Sequence, residues 1–431
     1  MDHNEFGVRL KELRAAKAKK LGWRKIPQRE VAAQLNISPG AYGSWESGRT
    51  RPDVALLPKI ADYFEVSIDF LLGYTASVQT GLEPITTKTD LVWSLRRPAQ
   101  TEDEQKGLEV WERLIQGESL ESITTALKVR SPQEIERYLL DIIYADMLSI
   151  DHLPRDPDLA ERVRQTFGLR EVIVMPLAVA EEALLRFRTT LLGEAARVYF
   201  NAHVYEGMRV GIAGGYSVSR MIYSLRRGEC RSIEIYPLAI SPVIETVALD
   251  ANSLVGAFAY RHKGYNVRGY ALQYASPSDW KEAKDVQRFA PTLRILARAK
   301  SVDIAFMGIG IVGRRRAPID WLGDLLAARG LGLEEIRQMG AVGDILYHLV
   351  DQNGQPVAPE ISDLICSIDL QDLREMVRSG AQVVAIASRR EKIEIARAAI
   401  KAGYANVFII DDELARALLE FENGPLHNST K

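Results

Sequence analysis

Apolar residues recur every three to four positions through the first seventy-odd residues and again from about residue 104 to 150. Beyond residue 156, short β-branched runs alternate with helix-length amphipathic stretches. The first region predicts short helices, one carried by Phe6, Leu10 and Leu13 and then Gln28–Leu35, Ser38–Glu46, Val54–Phe64 and Ile68–Leu72. Between the second and third, Asn36-Ile37-Ser38 supplies a tight turn and a capping Ser, which predicts two helices at a steep angle, a helix-turn-helix. The third helix runs out in Trp45-Glu46-Ser47-Gly48-Arg49-Thr50-Arg51-Pro52. Gly48 suits the left-handed position after a helix and Pro52 the first position of the next, leaving Arg49 and Arg51 on a loop.

Residues 75–100 hold Gly, Pro, Ser and Thr without sustained periodicity, so 76–100 reads as a linker. Over 101–152 the helical period returns, and Leu120 through Leu139 again reads helix, turn, helix. Leu139, Ile142, Ile143 and Met147 form a candidate oligomerisation or interdomain stripe, with a satellite core as the plainer reading. In the remainder, 153–424, strands are expected at Glu171–Met175, Arg209–Ile212, Ile233–Pro237, Leu254–Ala259, Val302–Met307, Val383–Ala387 and Asn406–Ile410. Helices are expected at Ala180–Tyr199, Trp280–Ala299 and Glu391–Ala402. Such alternation predicts an α/β domain with a mainly parallel sheet, in which ligands bind beyond the carboxyl ends of the strands.

Charge changes this picture more than composition does. The chain has 431 residues and a net charge of −2. Residues 1–51, however, carry eleven Lys and Arg against five Asp and Glu, and residues 101–151 carry five against twelve. A +6 head suits a phosphate-binding face, whereas a −7 middle segment repels phosphate and argues against a second DNA reader. Cys230 and Cys366 lie far apart without metal-ligand spacing, so neither a disulfide framework nor a structural metal site is expected. No apolar run is long enough to span a membrane, and the start lacks a basic and then apolar leader, which together predict a cytoplasmic protein.

The head resembles the phage-repressor (Xre-like) helix-turn-helix family through Arg9-Leu10-Lys11-Glu12-Leu13-Arg14, Gln28-Arg29-Glu30-Val31-Ala32, Leu35-Asn36-Ile37-Ser38 and the Trp45–Pro52 run. The resemblance implies DNA contacts from Gln28 and Arg29, from Ser38, Gly40, Ala41 and Ser44 on the third helix, and from Arg49 and Arg51 on the loop. Pro39, Gly40 and Ala41 stand where long polar side chains commonly read bases, so readout leans on DNA shape and methyl contacts. A protein–protein adaptor is the alternative. Tyr42 and Trp45 read as core residues.

In the α/β region, Ala213-Gly214-Gly215-Tyr216-Ser217 follows a strand and leads into a helix, where bare backbone N–H groups can hold a phosphate or a sugar hydroxyl. It carries neither a GxGxxG repeat nor a P-loop Lys, and a plain tight turn is the alternative. Gly308 and Gly310 follow another strand, Asp344 stands at a loop-to-element junction, and Arg389 and Lys392 follow a third. A carboxylate for sugar hydroxyls with a cation for a phosphate is the chemistry a phosphorylated sugar needs.

Gly340-Ala341-Val342-Gly343-Asp344-Ile345 with Asp351-Gln352-Asn353-Gly354, Glu391-Lys392, Ala398 through Val407, and Asp411-Asp412-Glu413-Leu414-Ala415 resemble the effector domain of SorC/DeoR-type sugar-binding regulators, similar in fold to sugar-phosphate isomerases. The resemblance spans about residues 155–420 and implies an effector held by the Gly-Gly-Tyr-Ser loop, Asp344 and Lys392, in a tetramer. Tyr216-Ser217 and Ser388-Arg389 depart from the family's usual residues and alter the pocket. The expected architecture is an all-α helix-turn-helix head (1–75), a linker (76–100), an acidic helical coupling segment (101–152) and a Rossmann-like effector domain (153–424). The expected function is regulation of transcription by double-stranded operator binding under control of a small metabolite, without a cofactor or metal. A sugar-phosphate isomerase with an appended head is the competing enzyme class, and an interaction scaffold is the third.

Overall fold

A computed structural model of the chain describes residues 3–20, 25–35, 37–53, 56–64, 85–86, 92–145, 147–152, 155–176, 184–225, 232–240, 247–262, 266–273, 289–312, 326 and 330–423. They divide into two compact units, one of Met1–Ile85, Trp93–Pro98 and Asp146–Ser149, the other of Thr86–Val92, Ala99–Ala145 and Ile150–Lys431.

The head contains α1 (His3–Lys20), α2 (Gln28–Gln34), α3 (Pro39–Glu46) and α4 (Leu57–Phe64). Ser38 caps α3 by accepting from the Ala41 N–H at 3.2 Å, and Pro39 occupies the first helical position. Phe6, Leu10, Val31, Ala32, Tyr42, Trp45 and Ile60 close one core, so the periodic apolar positions pack inward and Tyr42 and Trp45 are core residues. Gly48 adopts φ 71°, the left-handed conformation that its place after α3 requires. Pro52 does not open the next helix: the α-helical residues begin at Leu57. Ile68–Leu72 lies outside the described residues.

The middle segment forms α5 (Glu102–Ile115), α6 (Leu120–Ala126) and α7 (Pro132–Tyr144), each opened by a hydroxyl cap from Thr101, Ser119 or Ser131. Part of the span read as a linker is ordered: β1 (Ile85–Thr86) and β2 (Val92–Leu95) join β3 (Leu148–His152) in a three-stranded sheet. The stripe proposed for oligomerisation is largely consumed inside the chain, since Leu139, Ile142 and Met147 are fully buried. A periodic apolar face shows that a helix is covered, not by what.

The larger unit continues with α8 (Pro157–Phe167), β4 (Glu171–Met175), α9 (Leu185–His203), β5 (Arg209–Ile212), α10 (Tyr216–Ser224), β6 (Glu234–Pro237), α11 (Ala251–Arg261), β7 (Arg268–Gly269), α12 (Ala290–Ala299) and β8 (Ile304–Ile311). Then come α13 (Leu333–Gln338), β9 (Ala341–Ile345), β10 (His348–Asp351), α14 (Pro359–Ser362), α15 (Leu370–Arg378), β11 (Gln382–Ala387), α16 (Ile393–Ala402), β12 (Val407–Asp411) and α17 (Asp412–Asn423). The parallel strands run in the order β4-β12-β11-β8-β5-β6-β7. Chain order therefore reverses between β5 and β8, and the crevice at their carboxyl ends is where a doubly wound sheet takes a ligand. The β9–β10 hairpin attaches antiparallel to the far half of β8.

Leu254–Ala259, expected as a strand, lies within α11. Asp250 caps that helix by accepting from the Asn252 N–H at 2.9 Å, and Leu254, Val255 and Phe258 fall at helical spacing on its buried face. A short apolar run carries no period of its own, and here the cap decides. Residues 280–288 of the expected helix Trp280–Ala299 and residues 180–183 of Ala180–Tyr199 lie outside the described residues, as does Cys230, whereas Cys366 is buried.

Candidate functional site

In the head, α2 and α3 carry the residues singled out for DNA. Arg29, Ser38 and Gly40 are exposed, Ala41 and Ser44 half-buried, and Arg49 and Arg51 exposed on the loop after α3. Gln28 is held differently: its amide donates to Glu46 Oε2 at 2.6 Å, and Arg14 reaches the same carboxylate with Nε at 2.6 Å and Nη2 at 2.9 Å. Burial works to raise the Glu46 carboxyl, but the donors Arg14 and Gln28 prevail and hold it below the ordinary range. Arg14, which is 11% exposed, also donates to Ile26 O, so this ion pair ties α1 to the turn before α2 and to the end of α3.

At the carboxyl ends of β5, β8 and β11 the second set of residues converges. Asp344 lies inside β9, not at a loop junction, and its register partner on β8 is Gly310. Gly308 and Gly310, expected on a loop, belong to β8 itself. A side chain at Gly310 would collide with Asp344 Oδ1, so the glycine leaves room for the carboxylate rather than for a ligand. Two residues earlier on the same face, Gly308 has no atom within 4 Å of where a Cβ would stand, and the same holds at Gly215 (φ 108°) between β5 and α10. These two positions border open space, while Gly214 faces Leu249 O and Tyr347 Oη. Tyr216 and Ser217 form the half-buried first turn of α10.

Lys392 ends a short 3-10 turn before α16 and donates from Nζ to Ile309 O at 2.7 Å. Burial and the neighbouring Arg389 guanidinium pull its pKa down to about 8, against the pull of Asp344 and Asp411. Burial pushes Asp344 up to about 6, although the Tyr347 N–H (3.3 Å) and Lys392 favour its anion. Each charge favours the other through space, and both residues are half-buried. Arg389 stands at φ 80° and ψ 142°, outside the comfortable range of a non-glycine residue. Its Nε is buried without a hydrogen bond, and the Glu391 carboxylate is 3.9 Å away.

The sequence reading missed the residues that hold this loop in place. Asp411, fully buried, accepts from the Arg389 N–H at 3.0 Å, from the Leu414 N–H at 2.9 Å and from Arg188 Nη2 at 2.7 Å. Burial raises its pKa, opposed by those donors. Arg188 lies in the first turn of α9, and the opening amides of that helix, from Arg186 and Phe187, donate to Glu136 Oε1 of α7 at 2.6 and 3.2 Å. Trp111 of α5 meets Phe187 edge-on at 6.0 Å, and the Arg220 guanidinium lies 4.4 Å from the Tyr144 ring centroid. Arg188 was detectable in principle, because a charge sits among Leu184, Phe187, Leu191 and Leu192 at helical spacing.

His262 and His348 are buried and pair through a ring nitrogen with Phe258 O and Ile368 O, and His203 pairs with Tyr199 O. Among the described residues no cluster of metal-ligating side chains occurs, and no helix is long and apolar enough to cross a membrane.

The Sugar-bind family model, a sugar-binding domain, matches residues 151–420, more than half the chain, and a helix-turn-helix model matches residues 17–71. The deoxyribonucleoside regulator of Bacillus subtilis is 24% identical over 307 residues, covering 70% of this chain and 92% of its own length. A prophage-derived helix-turn-helix regulator of the same organism is 37% identical over 70 residues, covering 16% of this chain and 58% of its own. The full-length sorbitol operon regulator of Klebsiella pneumoniae superposes with a TM-score of 0.51 at 20% identity, covering 74% of this chain and 100% of that one, a likeness of fold. With its parallel-sheet domain and helical reader, the chain belongs to the SorC/DeoR-type family of sugar-binding transcriptional regulators.

Proposed function

We propose that the C-terminal domain senses a small phosphorylated or polyhydroxylated sugar in the crevice between β5 and β8, and that occupancy changes operator binding by the head. The observation that carries this reading is the half-buried Asp344, within electrostatic reach of Lys392 and near open space at Gly215 and Gly308, at the strand-order reversal. Asp344 would accept from sugar hydroxyls, Lys392 and Arg389 would meet a phosphate, and the Gly214-Gly215-Tyr216-Ser217 loop would supply backbone N–H groups. In the head, Gln28, Arg29, Ser38, Gly40, Ala41, Ser44, Arg49 and Arg51 would face operator DNA, with Gln28 oriented by Glu46. The acidic middle helices would couple the parts, a role supported by the path from Arg389 through Asp411 to Arg188 on α9, whose opening amides from Arg186 and Phe187 donate to Glu136. An effector that prefers one arrangement of the assembly, proposed to be a cytoplasmic tetramer, shifts the spacing of its heads and so the half-sites they match.

A thermal-shift screen of the full chain against sugar phosphates and free sugars, repeated with Asp344→Ala and Lys392→Ala, tests the assignment. Stabilisation by a hit must fall in both variants, and a hit that survives both places the pocket elsewhere.

One observation favours a second reading: Asp344 and Lys392 are drawn toward neutrality, as an acid–base pair in an isomerase would be. We propose that the chain performs no catalysis. Aldose–ketose conversion of a sugar phosphate that is lost in Asp344→Asn would overturn that view.

A further inference from the structure

The turn joining β9 to β10 has two central residues, Leu346 and Tyr347, since Ile345 pairs with His348. Both are left-handed, at φ 51° and 68°. A two-residue hairpin turn of this kind favours Gly, Asn or Asp at both places, and bulky side chains there are disfavoured. Burial accounts for Leu346, which is 4% exposed in the main core. Tyr347 is half-buried and packs against the same core. Its N–H donates to Asp344 Oδ2, and its Oη stands 2.9 Å from where a Cβ on Gly214 would be. One residue thus meets the Asp344 carboxylate through its backbone N–H and stands beside the glycine loop through its phenol oxygen. The next residue of that loop, Gly215, borders open space, as does Gly308.

We propose that Tyr347 is a specificity-determining residue of the effector crevice, its ring narrowing the gap between the Gly214–Gly215 loop and Asp344 and so limiting the size of sugar admitted. This inference rests on the effector reading above. The glycine at 214 lets the phenol come this close, although Leu249 O would by itself bar a side chain there. The disfavoured backbone follows from the tyrosine, because a glycine in the turn would leave the gap unspanned.

The test measures affinities of the full chain for a graded series of sugar phosphates of three to six carbons, by calorimetry, in the natural protein, Tyr347→Phe and Tyr347→Gly. Glycine tolerates the left-handed backbone and removes the ring. Tyr347→Asn, which also tolerates it, is the second variant should the first not fold. The expected result is a shift of about tenfold in the ratio of six-carbon to three-carbon affinity, toward the larger ligand, in Tyr347→Gly or Tyr347→Asn. Tyr347→Phe should keep the ranking of the natural protein. A ratio within threefold of the natural protein's in a folded variant would mean that Tyr347 merely packs the turn. Absence of binding by the natural protein to the whole series would remove the sugar-phosphate reading itself, and the proposal with it.

Discussion

Arg188 and Asp411, 223 residues apart in sequence, meet in an ion pair of 2.7 Å in which the guanidinium is 4% and the carboxylate 0% exposed. Glu413 shares the same Arg188 nitrogen at 2.7 Å from a half-open position. Removing one member leaves the other charged and dry, which costs about 3–5 kcal/mol in comparable buried pairs. Arg188→Ala should therefore lower the denaturation midpoint of the larger unit markedly, and an unchanged midpoint in urea titration would show the pair to be dispensable.

Glu136 caps α9 from another helix, so its loss should cost about 0.5–2 kcal/mol, as for other side chains that satisfy opening amides. Glu136→Gln should keep most of that. If the path to Asp411 transmits occupancy, Glu136→Ala also reduces the effector-induced change in operator affinity while leaving effector affinity within a few-fold. Paired calorimetry and DNA titrations decide this, with an unchanged operator response counting against the path.

In the head, Arg49→Ala and Arg51→Ala should weaken binding to operator and unrelated DNA alike. For each phosphate that a variant no longer neutralises, the slope of log affinity against log salt should flatten by about 0.9. An unchanged slope assigns both side chains elsewhere.

Protonation gives two opposed signatures in the crevice. Asp344 ionises at about 6 when folded, above its ordinary 3.8, so the folded chain holds the extra proton between those values. Its contribution is present at pH 4 and lost as pH rises through 6. Asp344→Asn should accordingly raise the melting temperature more at pH 7 than at pH 4, and a pH-independent difference would contradict the shift. Lys392 ionises at about 8, below its ordinary 10.5, so its buried charge opposes folding below 8 and that penalty fades as pH rises toward 10.5. An anionic effector needs the charged amine, and its affinity should fall above pH 8 in the natural protein but stay flat in Lys392→Met.

The pattern of apolar positions was enough for the first three helices of the head, because they are built on local signals: Ser38 at a cap, Pro39 behind it, Gly48 at the exit and one apolar stripe per helix. The strands of the α/β domain were equally plain wherever both faces are buried, as in Val383–Ala387. The hairpin carrying Asp344 was not, since Ala341–Ile345 alternates half-buried and buried positions and its turn lacks the residues such turns usually carry.

Residue order alone specified the two classes of domain and the opposed charges of head and middle segment, and it singled out the glycine, acid and lysine residues of the proposed effector site. Each of those depends on neighbours in the chain or on composition over a short span. The folded molecule was needed to show that Gly310 makes room for Asp344, that Gln28 is held by Glu46, that Tyr347 spans to Gly214, and that Asp411 joins Arg389 to Arg188. Those partners lie 18 to 223 residues apart along the chain. Their meeting follows from sheet order and helix packing, which no local period encodes.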